Sequence, residues 1–130
     1  MVITPFYTGL LALIFFVLSM RVVQVRGRVS LGDGGDPVVL RRMRGQANFA
    51  EYVPLILLMM AFLELRHVGG LWLHLIGVTL VVGRLLHGVA FSFTAKWWFG
   101  RFFGTLLTFV LLIGCAIWCI VLGVQGFMLR

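Results

Sequence analysis

Apolar residues run along this chain in four long stretches separated by short polar breaks. Ile3 to Met20 is free of charge, and the helix it predicts can continue to Arg26 with its arginines reaching outward to water. Val38 to Leu65, Leu71 to Phe93 and Phe102 to Leu129 follow. About 20 mainly apolar residues suffice to cross a bilayer as a helix. The pattern therefore predicts an all-α integral membrane four-helix bundle. It forms a single domain over 1–130, with spans at about 3–26, 38–65, 71–93 and 102–129. The breaks read as turns. Leu31-Gly-Asp-Gly-Gly-Asp-Pro37 is glycine-rich, and Asp36-Pro37 suits a helix cap followed by the first helical position. Arg66-His-Val-Gly-Gly70 is a short connection, and Thr94 to Arg101 is basic and aromatic, as befits a membrane–water boundary.

Composition agrees with this reading. The chain of 130 residues is 62% hydrophobic and only 12% charged, against roughly 25% charged in soluble domains. The net charge of +7 would raise nucleic acid for a soluble protein. Here the cations gather at the ends of apolar runs, which points to a membrane surface and to no nucleic-acid partner. Arg21, Arg26, Arg28, Arg41, Arg42, Arg44, Lys96 and Arg101 fall around the first and third connections, whereas the other side has Arg66 and Arg130. That asymmetry predicts a cytoplasmic first and third connection and both termini outside. The N-terminus lacks the charge and cleavage site of a removable signal. Cys115 and Cys119 lie within one apolar run and read as small core residues, and no metal site is expected.

Charges inside the second and third spans are the chemistry to explain, since intramembrane ionisable groups are costly. Arg41, Arg44, Asn48 and Glu51 are spaced 3, 4 and 3 apart and share a helical face. Arg84, His87 and Phe91 form a second stripe. At about 1.5 Å per residue, Glu51 and Arg84 lie at similar depth, so a Glu51–Arg84 contact is expected. Such a pair would serve as scaffolding alone. The cations nevertheless outnumber the acids there, which favours an anionic partner. Arginines grip carboxylates in forked geometry, Glu51 suits an ammonium group, and Gln46 and Asn48 offer amide pairing. Glutathione has that charge pattern.

The segment Arg44-Gly-Gln-Ala-Asn48-Phe-Ala-Glu51-Tyr52-Val-Pro54 carries the frame Arg-x-x-x-Asn-x-x-Glu-Tyr-x-Pro. It resembles the second-helix signature of the MAPEG family, the membrane-associated proteins of eicosanoid and glutathione metabolism, and is most similar to the short bacterial members. The resemblance covers the whole chain. It implies a homotrimer of four-helix protomers in the bacterial inner membrane, binding glutathione as co-substrate at subunit interfaces on the cytoplasmic side. Arg44, Gln46, Asn48, Glu51 and Tyr52 would contact the tripeptide, Arg84 and His87 would complete the pocket, and Arg26 or Arg28 would come from a neighbouring first helix. Arg101 resembles the catalytic arginine. Phe91 stands where the family's characterised enzymes commonly carry a tyrosine, leaving stacking but no phenol. The activity implied is that of a transferase or peroxidase. A cation would lower the thiol pKa from about 8.5, and the thiolate would attack a lipophilic small-molecule electrophile or hydroperoxide arriving through membrane lipid.

Two other functions fit the span count. One is a catalytically inactive glutathione- or lipid-binding or assembly protein on the same scaffold, a reading that Phe91 supports. The other is a small multidrug exporter, but such exporters resemble one another in a first-helix carboxylate that this chain lacks. Remaining features have plain readings. Pro54 bends the second helix or shapes its packing. His74, Trp97 and Trp98 suit boundary positions, and Gly77, Gly83 and Gly88 permit close helix approach.

Overall fold

The computed structural model describes residues 1–27 and 32–129. Its elements are α1 (Ile3–Arg26), α2 (Pro37–Leu65), α3 (Gly70–Ser92) and α4 (Trp98–Met128), each long and apolar enough to cross a membrane. Among the described residues there is no strand.

The ends of α2 show how the chain sets its boundaries. Asp36 caps it as the sequence predicts, its Oδ1 accepting from the amides of Val38 (2.7 Å) and Val39 (3.4 Å), with Pro37 in the first helical position. Before it, Gly32, Gly34 and Gly35 all take positive φ, a region that residues with a Cβ adopt at a cost. The far end closes with the Val68 amide bonded back to the Leu63 carbonyl and His67 at φ 58°. This left-handed closure is one that glycine usually makes. α2 runs on through Pro54 without interruption. The fourth helix takes in Trp98–Arg101, which the sequence pattern leaves in the connection. Aromatic residues that suit a boundary are equally at home in a helix, and Trp98 stacks on Phe102 one turn on (centroids 5.1 Å apart).

α3 is the central helix, with half of its apolar window buried against 11% for α4. It packs on all three others, while α1 and α4 lie on opposite sides and do not meet. The apolar core fills the half of the bundle nearer the termini. Leu11, Ile56, Met60, Leu63, Leu73 and Leu80 are fully buried there, and Cys115 joins them. Cys119 is half-buried beside them, its thiol directed at the Met59 carbonyl. Two polar devices close this end. Glu64 accepts hydrogen bonds from the amides of Val2, Ile3 (2.8 Å) and Thr4 (2.8 Å), so its carboxylate sits on the N-terminus of α1. His74, expected simply at the boundary, is joined to the buried Tyr7 (Oη to Nδ1, 2.9 Å). The missing side chain of Gly77 makes room for the Tyr7 ring, since a Cβ there would fall 2.3 Å from it.

Candidate functional site

The opposite end holds the basic residues, and its geometry starts from glycines. Gly100, Gly104 and Thr108 are the buried residues of the first turns of α4, four apart. A Cβ on Gly104 would fall 2.7 Å from the Gly83 carbonyl oxygen and 2.8 Å from the His87 nitrogen. α3 and α4 are therefore in backbone contact, which small residues at this spacing allow. That contact brings α4 oxygens to the α3 guanidinium. Arg84 is 1% exposed. It donates to Asn48 Oδ1 on α2 (2.9 Å), to Thr108 Oγ1 (2.7 Å) and more weakly to the Gly104 carbonyl (3.4 Å). Thr108 in turn donates to that carbonyl (2.8 Å), which fixes its hydroxyl as an acceptor for arginine. Arg84 Nε has no partner. A buried cation is thus held by neutral oxygens alone.

The expected Glu51–Arg84 contact is absent, and helix geometry explains why. A helix turns about 100° per residue, so positions seven apart nearly coincide while those three apart diverge by about 60°. The single face read from the sequence splits into two lines. Arg41, Gly45, Asn48 and Tyr52 turn inward and are buried or half-buried. Arg44 and Glu51 turn outward and are exposed on the side of the protomer. Asn48 takes Arg84 instead of Glu51.

His87 and Phe91 continue the α3 stripe. His87 is 3% exposed and stacks on Phe91, the ring centroids 4.5 Å apart. The Arg101 guanidinium stands over the Phe91 ring, 4.8 Å from its centroid, and donates to the Ala95 carbonyl (3.0 Å). Phe91 thereby links the end of α3 to the start of α4. Gly45 of α2 lies so close to Phe91 that a Cβ there would approach the Phe91 Cβ to 2.8 Å. Tyr52 is half-buried and meets Phe109 edge-on (5.3 Å).

Other candidates are engaged elsewhere. Gln46 donates to Ser19 of α1 (3.1 Å). Arg26 is exposed in the last turn of α1, and Arg28 lies outside the described residues. Two arginines expected only to set orientation tie neighbouring helices together here. Arg21 donates to the Ser92 carbonyl at the end of α3 (2.9 Å) and lies over Phe93, and Arg42 donates to the Arg21 carbonyl (2.9 Å). Thr108 and Gly104 went unnoticed in the sequence, although Gly-x-x-x-Gly-x-x-x-Thr from Gly100 is a readable close-packing signal.

The chain matches the MAPEG family model over residues 4–121. It is similar to the inner membrane protein YecN of Escherichia coli, in strain K12 and equally in strain CFT073. The identity is 33% over 91 residues, covering 68% of this chain and 70% of that protein. No solved structure matches the chain. With four apolar helices carrying an Arg-x-x-x-Asn-x-x-Glu-Tyr-x-Pro segment and a family match over almost its full length, this integral membrane protein belongs to the MAPEG family.

Proposed function

We propose that this protein is a glutathione-dependent transferase or peroxidase of the inner membrane. It works as a homotrimer with its termini outside and its site towards the cytoplasm. The observation that carries the reading is the outward line of α2. Arg44 and Glu51 are exposed on the protomer's side, within a membrane-spanning helix, where charge is costly. A neighbouring copy with a zwitterionic peptide between them gives both a partner. Arg84 adds positive charge that no carboxylate in the protomer offsets.

In this reading Arg44 takes a glutathione carboxylate and Glu51 its ammonium group. Arg101 stands beside the thiol and favours its ionised form, because a guanidinium keeps its proton. The sulfur then forms a bond to the electrophilic carbon as the leaving group departs with its electron pair. With a hydroperoxide the sulfur attacks the terminal oxygen, the O–O bond breaks, and an alcohol leaves with its electron pair and a proton. A second glutathione then displaces the hydroxyl of the resulting sulfenic acid as water and forms the disulfide. The lipophilic partner reaches the site from the bilayer, and positioning supplies much of the rate.

Conjugation of glutathione to a chloronitrobenzene by the purified protein, read beside a glutathione thermal shift, tests this. Turnover with a shift supports the proposal; the absence of both refutes it. Arg101→Ala should abolish the thiolate absorbance of bound glutathione while sparing binding. Native mass spectrometry in detergent should find trimers. The second reading, a glutathione-binding protein without turnover, rests on Phe91, whose ring occupies the place beside Arg101 without a phenol. Binding without conjugation would establish it.

A further inference from the structure

At the end of the bundle remote from Arg84, a groove of about 510 Å³ opens between the last turns of α2 and α4. Its walls are Phe62, Leu65 and Leu122, and its floor is opened by Gly123 and Gly126. A Cβ on Gly123 would meet nothing within 4 Å, and one on Gly126 would meet only the Arg66 guanidinium, at 3.8 Å. Arg66 is the residue closing α2, and its side chain reaches across the mouth of the groove to α4.

Charge distinguishes this groove from the larger one of about 890 Å³ between α1 and α2, which no charged side chain lines. Arg66 is exposed, and none of the four acidic side chains is placed to neutralise it. Asp33 and Asp36 lie in the connection at the other end, Glu51 is four turns deeper on α2, and Glu64 is taken by the amides of α1. The groove also has a direction. It runs inward from the cation at the apolar boundary to Cys119, which is seven residues from Gly126 and hence about 10 Å deeper. A cation at the boundary above an apolar channel along the bilayer normal matches a lipid with its phosphate at the surface and its tail in the membrane.

We propose that this groove is a binding site for an anionic phospholipid of the surrounding leaflet, with the phosphate on Arg66 and one acyl chain over Gly123 and Gly126. The site lies at the opposite end of the bundle from Arg84. Its Phe62 wall is about five turns from Arg44 on the α2 face that the proposed trimer gives to a neighbouring copy, so the lipid would lie between that copy and α4.

The full chain, purified in detergent, would be given equal phosphatidylglycerol and phosphatidylethanolamine, and bound lipid counted by native mass spectrometry. The parent protein should favour phosphatidylglycerol roughly fivefold, the effect of one basic side chain near an anionic headgroup. Arg66→Lys should keep the preference and Arg66→Gln should lose it. Gly123→Leu, whose Cβ would meet nothing within 4 Å and whose side chain would take up groove volume, should lower the occupancy of both lipids. A preference that survives Arg66→Gln, or is absent from Arg66→Lys, would overturn the proposal, as would unchanged occupancy in Gly123→Leu.

Discussion

Glu64 and Arg84 are charged side chains at opposite ends of one bundle, and they are held in opposite ways. Glu64 offers two oxygens to three backbone amides that α1 cannot satisfy itself, so anion and helix terminus complete each other. Arg84 is buried more deeply, yet it meets only an amide oxygen, a hydroxyl and a carbonyl. Both charges are met by neutral dipoles. Glu64 in addition completes a helix terminus, whereas Arg84 lies inside the bundle among the groups proposed to bind the ligand. The apolar core lies with Glu64, and the stacked rings and surplus cations lie with Arg84.

Breaking each charge in turn should separate the two kinds of role. Glu64→Ala leaves three amides at the start of α1 without an acceptor. It should lower unfolding stability by about 2–3 kcal/mol, measured as a fall in the melting temperature in detergent. Glutathione affinity of the folded fraction should stay as it was. A variant that melts with the parent would show that α1 is held by packing alone.

Arg84→Met is the converse. A flexible apolar side chain can fill the space, and replacing buried charge by hydrophobic volume is often neutral or stabilising. Asn48 Oδ1 loses its donor, at a cost of about 1–3 kcal/mol. Thr108 retains its bond to Gly104 and the cost of burying a cation is relieved, so stability should stay within about 2 kcal/mol of the parent. The proposed glutathione binding should weaken about tenfold, through loss of a buried positive charge near the site and not of a direct contact. Calorimetry on the detergent-solubilised protein measures both quantities. A large loss of stability with unchanged affinity would make Arg84 a structural residue like Glu64.

Much of this arrangement was legible in the residues, and the gaps have physical causes. The spans follow from apolar length alone, and the cap of α2 follows from Asp36 and Pro37, because these signals are local. Asn48 and Arg84 stood out as polar groups in apolar helices. Their pairing did not, because a 3-4-3 spacing covers a wide arc and does not say which edge turns inward. Glu64 passed unnoticed because its partners lie some 60 residues earlier in the chain, and no local pattern announces an anion meant for another helix's end. Thr108 gains its role only once Gly104 brings α4 against α3.

Phe91→Tyr tests how the missing phenol bears on the proposed glutathione site. The ring already stacks on His87 beneath Arg101, so the substitution adds a hydroxyl and leaves the stack in place. Glutathione affinity should rise roughly fivefold, about the worth of one net hydrogen bond. Titration calorimetry against the parent measures the change. No gain would place the Phe91 ring edge away from the ligand and confine its part to carrying Arg101.

The smallest effect belongs to the Glu64 end. His67 holds φ 58° to close α2, a conformation that costs a residue with a Cβ roughly 1–2 kcal/mol. His67→Gly removes that strain but loosens the unfolded chain, whose added entropy offsets part of the gain. The net should be about 0.5 kcal/mol of added stability, seen as a small upward shift in melting temperature. The closing bond from Val68 to Leu63 is between backbone atoms and survives the change, so Glu64 keeps its aim at α1. The rise should therefore disappear in the Glu64→Ala background only if the two act through the same helix end. If the gains and losses simply add, strain at His67 and anchoring by Glu64 are separate contributions to the end of the bundle built for stability.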